Sequence, residues 1–155
     1  MAIKNLSEED KRKLRDDAKK EIERLEQYLQ NTENVKVVDK FKNRFNICES
    51  AYKIILKKHQ ACKGKKPTSF LKIDMRQVPK ALNFAGYSFN DQLLSDLFGS
   101  KLSTKGRTAK KLRDGITHGI DESAVLEIIS RKDELFGYMD TFLDTIKSFD
   151  AIVTQ

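Results

Sequence analysis

Apolar residues recur along this chain at steps of three and four with charged residues between them, the spacing of one face of an α-helix. No segment alternates convincingly with the period of two that marks a strand, and no internal repeat is present. The first run follows Ser7, which reads as an N-cap with Glu8, Glu9 and Asp10 in the first turn, where negative charge suits the helix dipole. Leu14, Ala18, Ile22, Leu25, Tyr28 and Leu29 then share a face, and Thr32-Glu33-Asn34 is expected to break the helix. A second helix is predicted from near Asn34 to about Ala61, carrying Val37, Val38, Phe41, Phe45, Ile47, Cys48, Ala51, Tyr52, Ile54, Ile55 and Leu56. Gly64 to Thr68 reads as a loop. Beyond it the pattern loosens over about 69–100, which predicts a helical insert or lid packed on the bundle. Within that region Asp74 to Ala85 suits a helix with Pro79 near its start and Gly86 at its end. Asn90 suits a cap for a helix from Asp91 to Phe98, with Gly99 ending it.

Ser103 or Thr104 is expected to cap the next helix. Asp121-Glu122-Ser123 and Ser130-Arg131-Lys132-Asp133 are two further start signals. Helical spacing continues through Val125, Ile128, Leu135, Met139, Phe142 and Phe149, as one long helix or a short one followed by a long one. The expectation is an all-α chain forming a single domain over 1–155: a bundle of three to four longer helices plus short ones.

Charge adds two features. The net charge is +7, and much of it sits in two runs that contain no acid. One is Lys53, Lys57, Lys58, Lys63, Lys65 and Lys66, at the end of the second helix with His59 among them as an exposed or capping side chain. The other is Lys101, Lys105, Arg107, Lys110, Lys111 and Arg113. Such runs suit a nucleic-acid phosphate backbone, and equally a solvated face. Cys48 and Cys62 fall in one predicted helix, about 21 Å apart along its axis, so they cannot bridge. Unbridged thiols, no apolar run of membrane-spanning length and no signal-peptide core together suggest a cytoplasmic protein. No metal or cofactor is expected.

The second basic run leads into Lys111-Leu112-Arg113-Asp114-Gly115-Ile116-Thr117-His118-Gly119. A histidine exchanges protons near neutral pH, and a guanidinium fork fits phosphate. The two suffice for metal-independent cleavage of RNA by its own 2′-hydroxyl, which needs proton transfer and a charge on the phosphate. On one ideal helix Arg113 and His118 diverge by roughly 140°, whereas Asp114 and His118 share a face. Either the helix frays at Gly115 and Gly119, or a second chain supplies the complementary residue across a two-fold axis.

Arg113-Asp114-Gly115-Ile116-Thr117-His118 resembles the motif of the HEPN superfamily: Arg, a polar residue, three further residues, then His, here with the trailing Gly119 common in that family. The all-α layout, with the motif late in the chain and an apolar helix after it, is similar too. The resemblance implies a homodimeric, metal-independent endoribonuclease acting in toxin–antitoxin systems, phage defence or RNA processing. It implies that Arg113 stabilises phosphate, that His118 moves protons or orients phosphate, and that Asp114 positions them. The basic run itself makes Lys101, Lys105, Arg107, Lys110 and Lys111 the candidate RNA contacts. The resemblance also implies a possible partner antitoxin or regulatory protein. The family's nucleotidyltransferase-paired members carry a Tyr two residues after the His; Ile120 stands there in this chain. Some members bind RNA, nucleotide or protein without cutting.

Overall fold

The computed structural model describes residues 6–64, 73–100, 106–117, 119 and 121–153. Its elements are seven helices: α1 (Glu8–Gln30), α2 (Thr32–Cys62), α3 (Val78–Phe84), α4 (Asp91–Phe98), α5 (Ala109–Thr117), α6 (Glu122–Ser130) and α7 (Lys132–Val153). No strand occurs among the described residues, so the chain is all-α. None of these helices is long and apolar enough to cross a membrane. Three helices are long and four are short.

The chain divides into two compact units, Met1–Lys36 and Val37–Gln155. In the first, the Ser7 hydroxyl accepts from the Asp10 amide at 3.1 Å, the cap expected there. Ion pairs three or four residues apart decorate α1: Lys11–Glu8 at 3.3 Å, Lys20–Asp16 at 3.1 Å, and Arg24–Glu21. Exposed pairs of this kind contribute only a few tenths of a kcal/mol each. Leu14 and Ile22 are more than half exposed, so these two positions of the apolar face of α1 are not core. The break before α2 is a single residue, Asn31, not Thr32–Asn34. Its side chain accepts from the Asn34 amide at 3.2 Å, capping the new helix at once.

The second unit is built on the inward face of α2. Phe41, Phe45, Cys48, Tyr52 and Leu56 follow one another at steps of four, three, four and four, and all are buried. They meet α4. Phe98 lies 5.9 Å from Phe45 and 5.5 Å from Tyr52, and its ring stands edge-on to Phe142 of α7 at 5.3 Å. Far from a lid, α4 thus supplies Leu94, Leu97 and Phe98 to the centre. Asn90 caps it as expected, accepting from Gln92 and Leu93. Cys48 is buried against α7, donating to the Met139 carbonyl at 3.8 Å, and burial pushes its thiol up to about 12. Cys62 lies on the same helix, exposed, and both thiols are free. Arg44 clamps α2 to Asp140 of α7 at 2.6 and 2.9 Å.

Two expectations fail here for clear reasons. His59 is not exposed. It is 7% exposed and its ring lies 4.9 Å from that of Phe84 of α3, the two planes tilted by 41°. It belongs to the buried stripe, three residues beyond Leu56. The α3 helix is shorter than predicted, because Asp74 to Gln77 form a turn in which the Asp74 carbonyl accepts from Gln77 and Val78.

Tyr52 carries an energetic oddity. Its ring is fully buried and its hydroxyl has no hydrogen-bond partner. Burial, with the nearby Asp74 charge, pushes its ionisation well above the ordinary 10.0. An unsatisfied buried hydroxyl costs free energy that a phenyl ring does not. Tyr52→Phe is therefore expected to raise stability by about 1 kcal/mol, or Tm by about 2–4 °C. A fall in Tm on thermal unfolding would contradict this.

Candidate active site

The α5 helix does not begin where sequence pattern placed it. Its cap is Thr108, not Ser103 or Thr104, which lie outside the described residues. The Thr108 hydroxyl accepts from the Lys111 amide at 3.2 Å and donates to the Gly99 carbonyl at 2.7 Å, pinning the start of α5 to the end of α4. Ala109 and Leu112 are the buried face. Gly115 does not fray the helix. It lies inside α5, where a Cβ would sit 3.3 Å from the Ala124 methyl, so its bareness lets α6 approach closely. The helix ends at Thr117, whose hydroxyl donates back to the Arg113 carbonyl at 2.8 Å. Gly119 has a φ of +141° and open space around it. His118 and Ile120 lie outside the described residues, as do Lys101 and Lys105.

Arg113 is the hub of this region. Its Nη2 donates to Glu49 Oε2 at 2.8 Å, Nη1 to Asn46 Oδ1 at 3.0 Å, and Nε to Asp114 Oδ1 at 3.1 Å. Its guanidinium carbon lies 4.7 Å from the centre of the Phe45 ring, a cation–π distance. The side chain is 14% exposed. Among the described residues, three of the five N–H groups that the guanidinium offers are thus committed, which leaves one on each Nη. Glu49 also takes Lys53 Nζ at 3.3 Å, and Lys110 Nζ lies 3.6 Å from Asp114 Oδ2. Three cations therefore face two carboxylates, a local excess of one positive charge.

The ionisations follow. Burial pushes the Glu49 carboxyl up, but the hydrogen bond and charge of Arg113, then Lys53, outweigh it and hold the group below its ordinary 4.5. Burial likewise opposes the Arg113 cation, and Glu49 and then Asp114 overcome it.

Asn46, Glu49 and Lys53 do not figure in the sequence motif. They fall at i, i+3 and i+7 on α2, a polar stripe beside its buried one. A signal was present: Glu49 is the only carboxylate between Asp39 and Asp74.

Three of the four described members of the basic run around α5, Arg107, Lys110 and Arg113, are paired with carboxylates. Arg107 donates from its amide and Nε to Glu127, both at 2.8 Å, and from Nη2 to Ser123 at 3.1 Å. Arg131 completes this knot, donating to Glu127, to the Arg107 carbonyl at 2.8 Å and to Glu134. Gly106, at a φ of +135°, is required there, since a Cβ would lie 2.6 Å from the Glu127 carboxylate. Arg107 is thus a strut between the approach to α5 and α6, which sequence alone did not indicate. Of the expected RNA contacts among the described residues, Lys110 is paired with Asp114 and Lys111 is exposed.

Burial pushes Glu127 up as well, and Arg107 and then Arg131 bring it below 4.5. A carboxyl depressed in the folded state stabilises the fold above its unfolded value and loses that contribution as pH falls through the folded value. Stability is therefore expected to hold at neutral pH and fall progressively below about 4.5, and Glu49→Gln to flatten part of that slope. Denaturant unfolding across the acid range checks this, and an unchanged slope in the variant would contradict it.

No family model, curated protein or solved structure matches this chain.

Proposed function

We propose that this protein is a metal-independent endoribonuclease of the HEPN type, acting as a homodimer with a composite site formed by Arg113 and His118. The observation that carries the reading is Arg113. The motif's arginine is the hub of a part-buried polar cluster, with one N–H on each Nη uncommitted among the described residues, on a helix that ends at Thr117 beside His118 in sequence. Asp114 holds Nε, the positioning role that the motif assigns to it.

In this reading the RNA 2′-hydroxyl attacks the adjacent phosphorus and the 5′-oxygen leaves, giving a 2′,3′-cyclic phosphate. One proton leaves the 2′-oxygen and one reaches the 5′-oxygen. His118 moves protons, and the two uncommitted Arg113 N–H groups meet the charge that builds on the non-bridging oxygens. Glu49 and Phe45 fix the guanidinium plane beforehand. Lys111, with Lys101 and Lys105, draws the RNA backbone in. A toxin–antitoxin or phage-defence setting, with an antitoxin or regulatory protein restraining the nuclease, belongs to the same proposal.

A second reading has its own observation. Arg113 is 14% exposed and paired with two carboxylates, which suits a strut. The domain would then bind RNA, nucleotide or a protein partner without cutting. Single-stranded RNA incubated with the protein in EDTA separates the two. Fragments ending in 2′,3′-cyclic phosphate support the nuclease, and intact RNA supports the binding module.

A further inference from the structure

The basic end of α2 has an aromatic companion in Phe84. Phe84 closes α3 with half its surface exposed, while Val78, Ala81 and Leu82 of the same helix are buried. Its ring lies 4.9 Å from that of His59. Lys80 stands one turn before Phe84 on α3, and Lys63 lies in the turn just past the end of α2, four residues after His59, its amide donating to the His59 carbonyl at 3.2 Å. Lys57 and Lys58 precede His59. All four lysines are either exposed or at the helix end in water, and none forms an ion pair among the described residues. The sequence explains why: no acid occurs between Glu49 and Asp74, nor between Asp74 and Asp91, and Asp74 itself is bonded to Arg76.

This differs from the two arginines of the basic run at α5, where Glu49 of α2 meets Arg113 and Glu127 of α6 meets Arg107. Here a half-exposed aromatic ring, backed by a buried histidine, stands near lysines that form no ion pair among the described residues. We propose that Phe84, backed by His59 and flanked by Lys63 and Lys80, is a stacking platform for single-stranded nucleic acid. A base covers the open face of the ring and the neighbouring phosphates meet the lysines. A duplex does not fit this chemistry, because its base faces are already covered. The platform lies about 15 Å along α2 from Glu49, ten residues at the helical rise. It is therefore separate from the Arg113 cluster and does not depend on catalysis there.

The test uses a short single-stranded oligodeoxynucleotide carrying one 2-aminopurine, which lacks the 2′-hydroxyl and so cannot be cut by the reaction proposed above. Parent protein is expected to bind it and quench the 2-aminopurine fluorescence. Phe84→Leu is expected to weaken binding about tenfold and abolish quenching without altering the salt dependence. Lys63→Gln and Lys80→Gln are each expected to lower the slope of log affinity against log salt by about 0.7. Circular dichroism checks that each variant folds; if Phe84→Leu does not, quenching by the parent and the two lysine slopes decide. Unchanged affinity and quenching in folded Phe84→Leu would overturn the proposal. So would parent protein that ignores the oligonucleotide at low salt, including the case where it binds an acidic peptide instead. Loss of RNA cleavage in EDTA with binding retained would count against the nuclease and not against this platform.

Discussion

His118→Ala is expected to cut RNA roughly 10²- to 10⁴-fold more slowly than the parent, the range that a positioned proton-transfer group contributes. The expectation rests on chemistry that the chain must supply for itself. A 2′-hydroxyl is a poor nucleophile until its proton is taken, and a 5′-alkoxide is a poor leaving group until it receives one. The imidazole is the side chain in the motif whose ordinary ionisation lies near neutral pH. The readout is single-turnover cleavage in EDTA, with far-UV circular dichroism confirming the fold. Arg113→Ala would also abolish cleavage, but less informatively. It strips Glu49, 19% exposed, of its main partner. Glu49 keeps Lys53 at 3.3 Å, but the variant loses stability as well as the phosphate contact. Glu49→Gln is the sharper companion, because it keeps an oxygen acceptor for Nη2 while removing the charge. It is expected to loosen the arginine without unfolding the chain. A His118→Ala protein that cuts as fast as the parent would rule out the mechanism.

The largest expected effect on stability lies at Phe98. Its ring sits between Phe45 and Tyr52 of α2 and Phe142 of α7, and is 1% exposed. Truncating it removes buried apolar area and leaves a cavity whose aromatic walls belong to two different helices, α2 and α7, so they do not close in together. Phe98→Ala is expected to cost about 3–5 kcal/mol, a large share of the 5–15 kcal/mol that a typical domain has. Urea unfolding measures it. A loss below about 1 kcal/mol would mean that α4 is peripheral, as a lid would be, and not the centre of the second unit.

How far the sequence carried can be judged residue by residue. Caps were legible where a lone polar side chain preceded an apolar run. Asn90 and Asp121 each accept from the two amides that follow, as a start signal requires. The cap of α5 was misplaced because three hydroxyl residues precede it, and only packing against Gly99 selects Thr108. The core stripe of α2 was legible from its period, yet His59 was set aside because its neighbours are lysines. Period, not local charge, put it inside.

The site was half legible. Arg113 and Asp114 are adjacent, and their bond is local. Glu49 arrives from α2, 64 residues away, and nothing in a short motif reports a partner at that distance. Charge runs misled for the same reason. Lys101 to Arg113 contains no acid in sequence, but Glu49, Glu127 and Ser123 come to Arg107 and Arg113 from other helices. At the end of α2, Lys53 meets Glu49, but Lys57, Lys58 and Lys63 form no ion pair among the described residues. A basic run becomes a basic surface only where the fold brings no acids to it.

The claim that cleavage occurs at a site shared by two chains has a direct test. Arg113→Ala and His118→Ala proteins, each inactive alone, are mixed and allowed to exchange subunits. In a two-fold dimer where Arg113 of one chain works with His118 of the other, a mixed dimer has one site carrying both changes and one carrying neither. With random exchange the mixture should recover about a quarter of the parent rate in EDTA. No recovery from folded, exchanging dimers would contradict the composite site, and a parent that leaves RNA intact would contradict the nuclease itself.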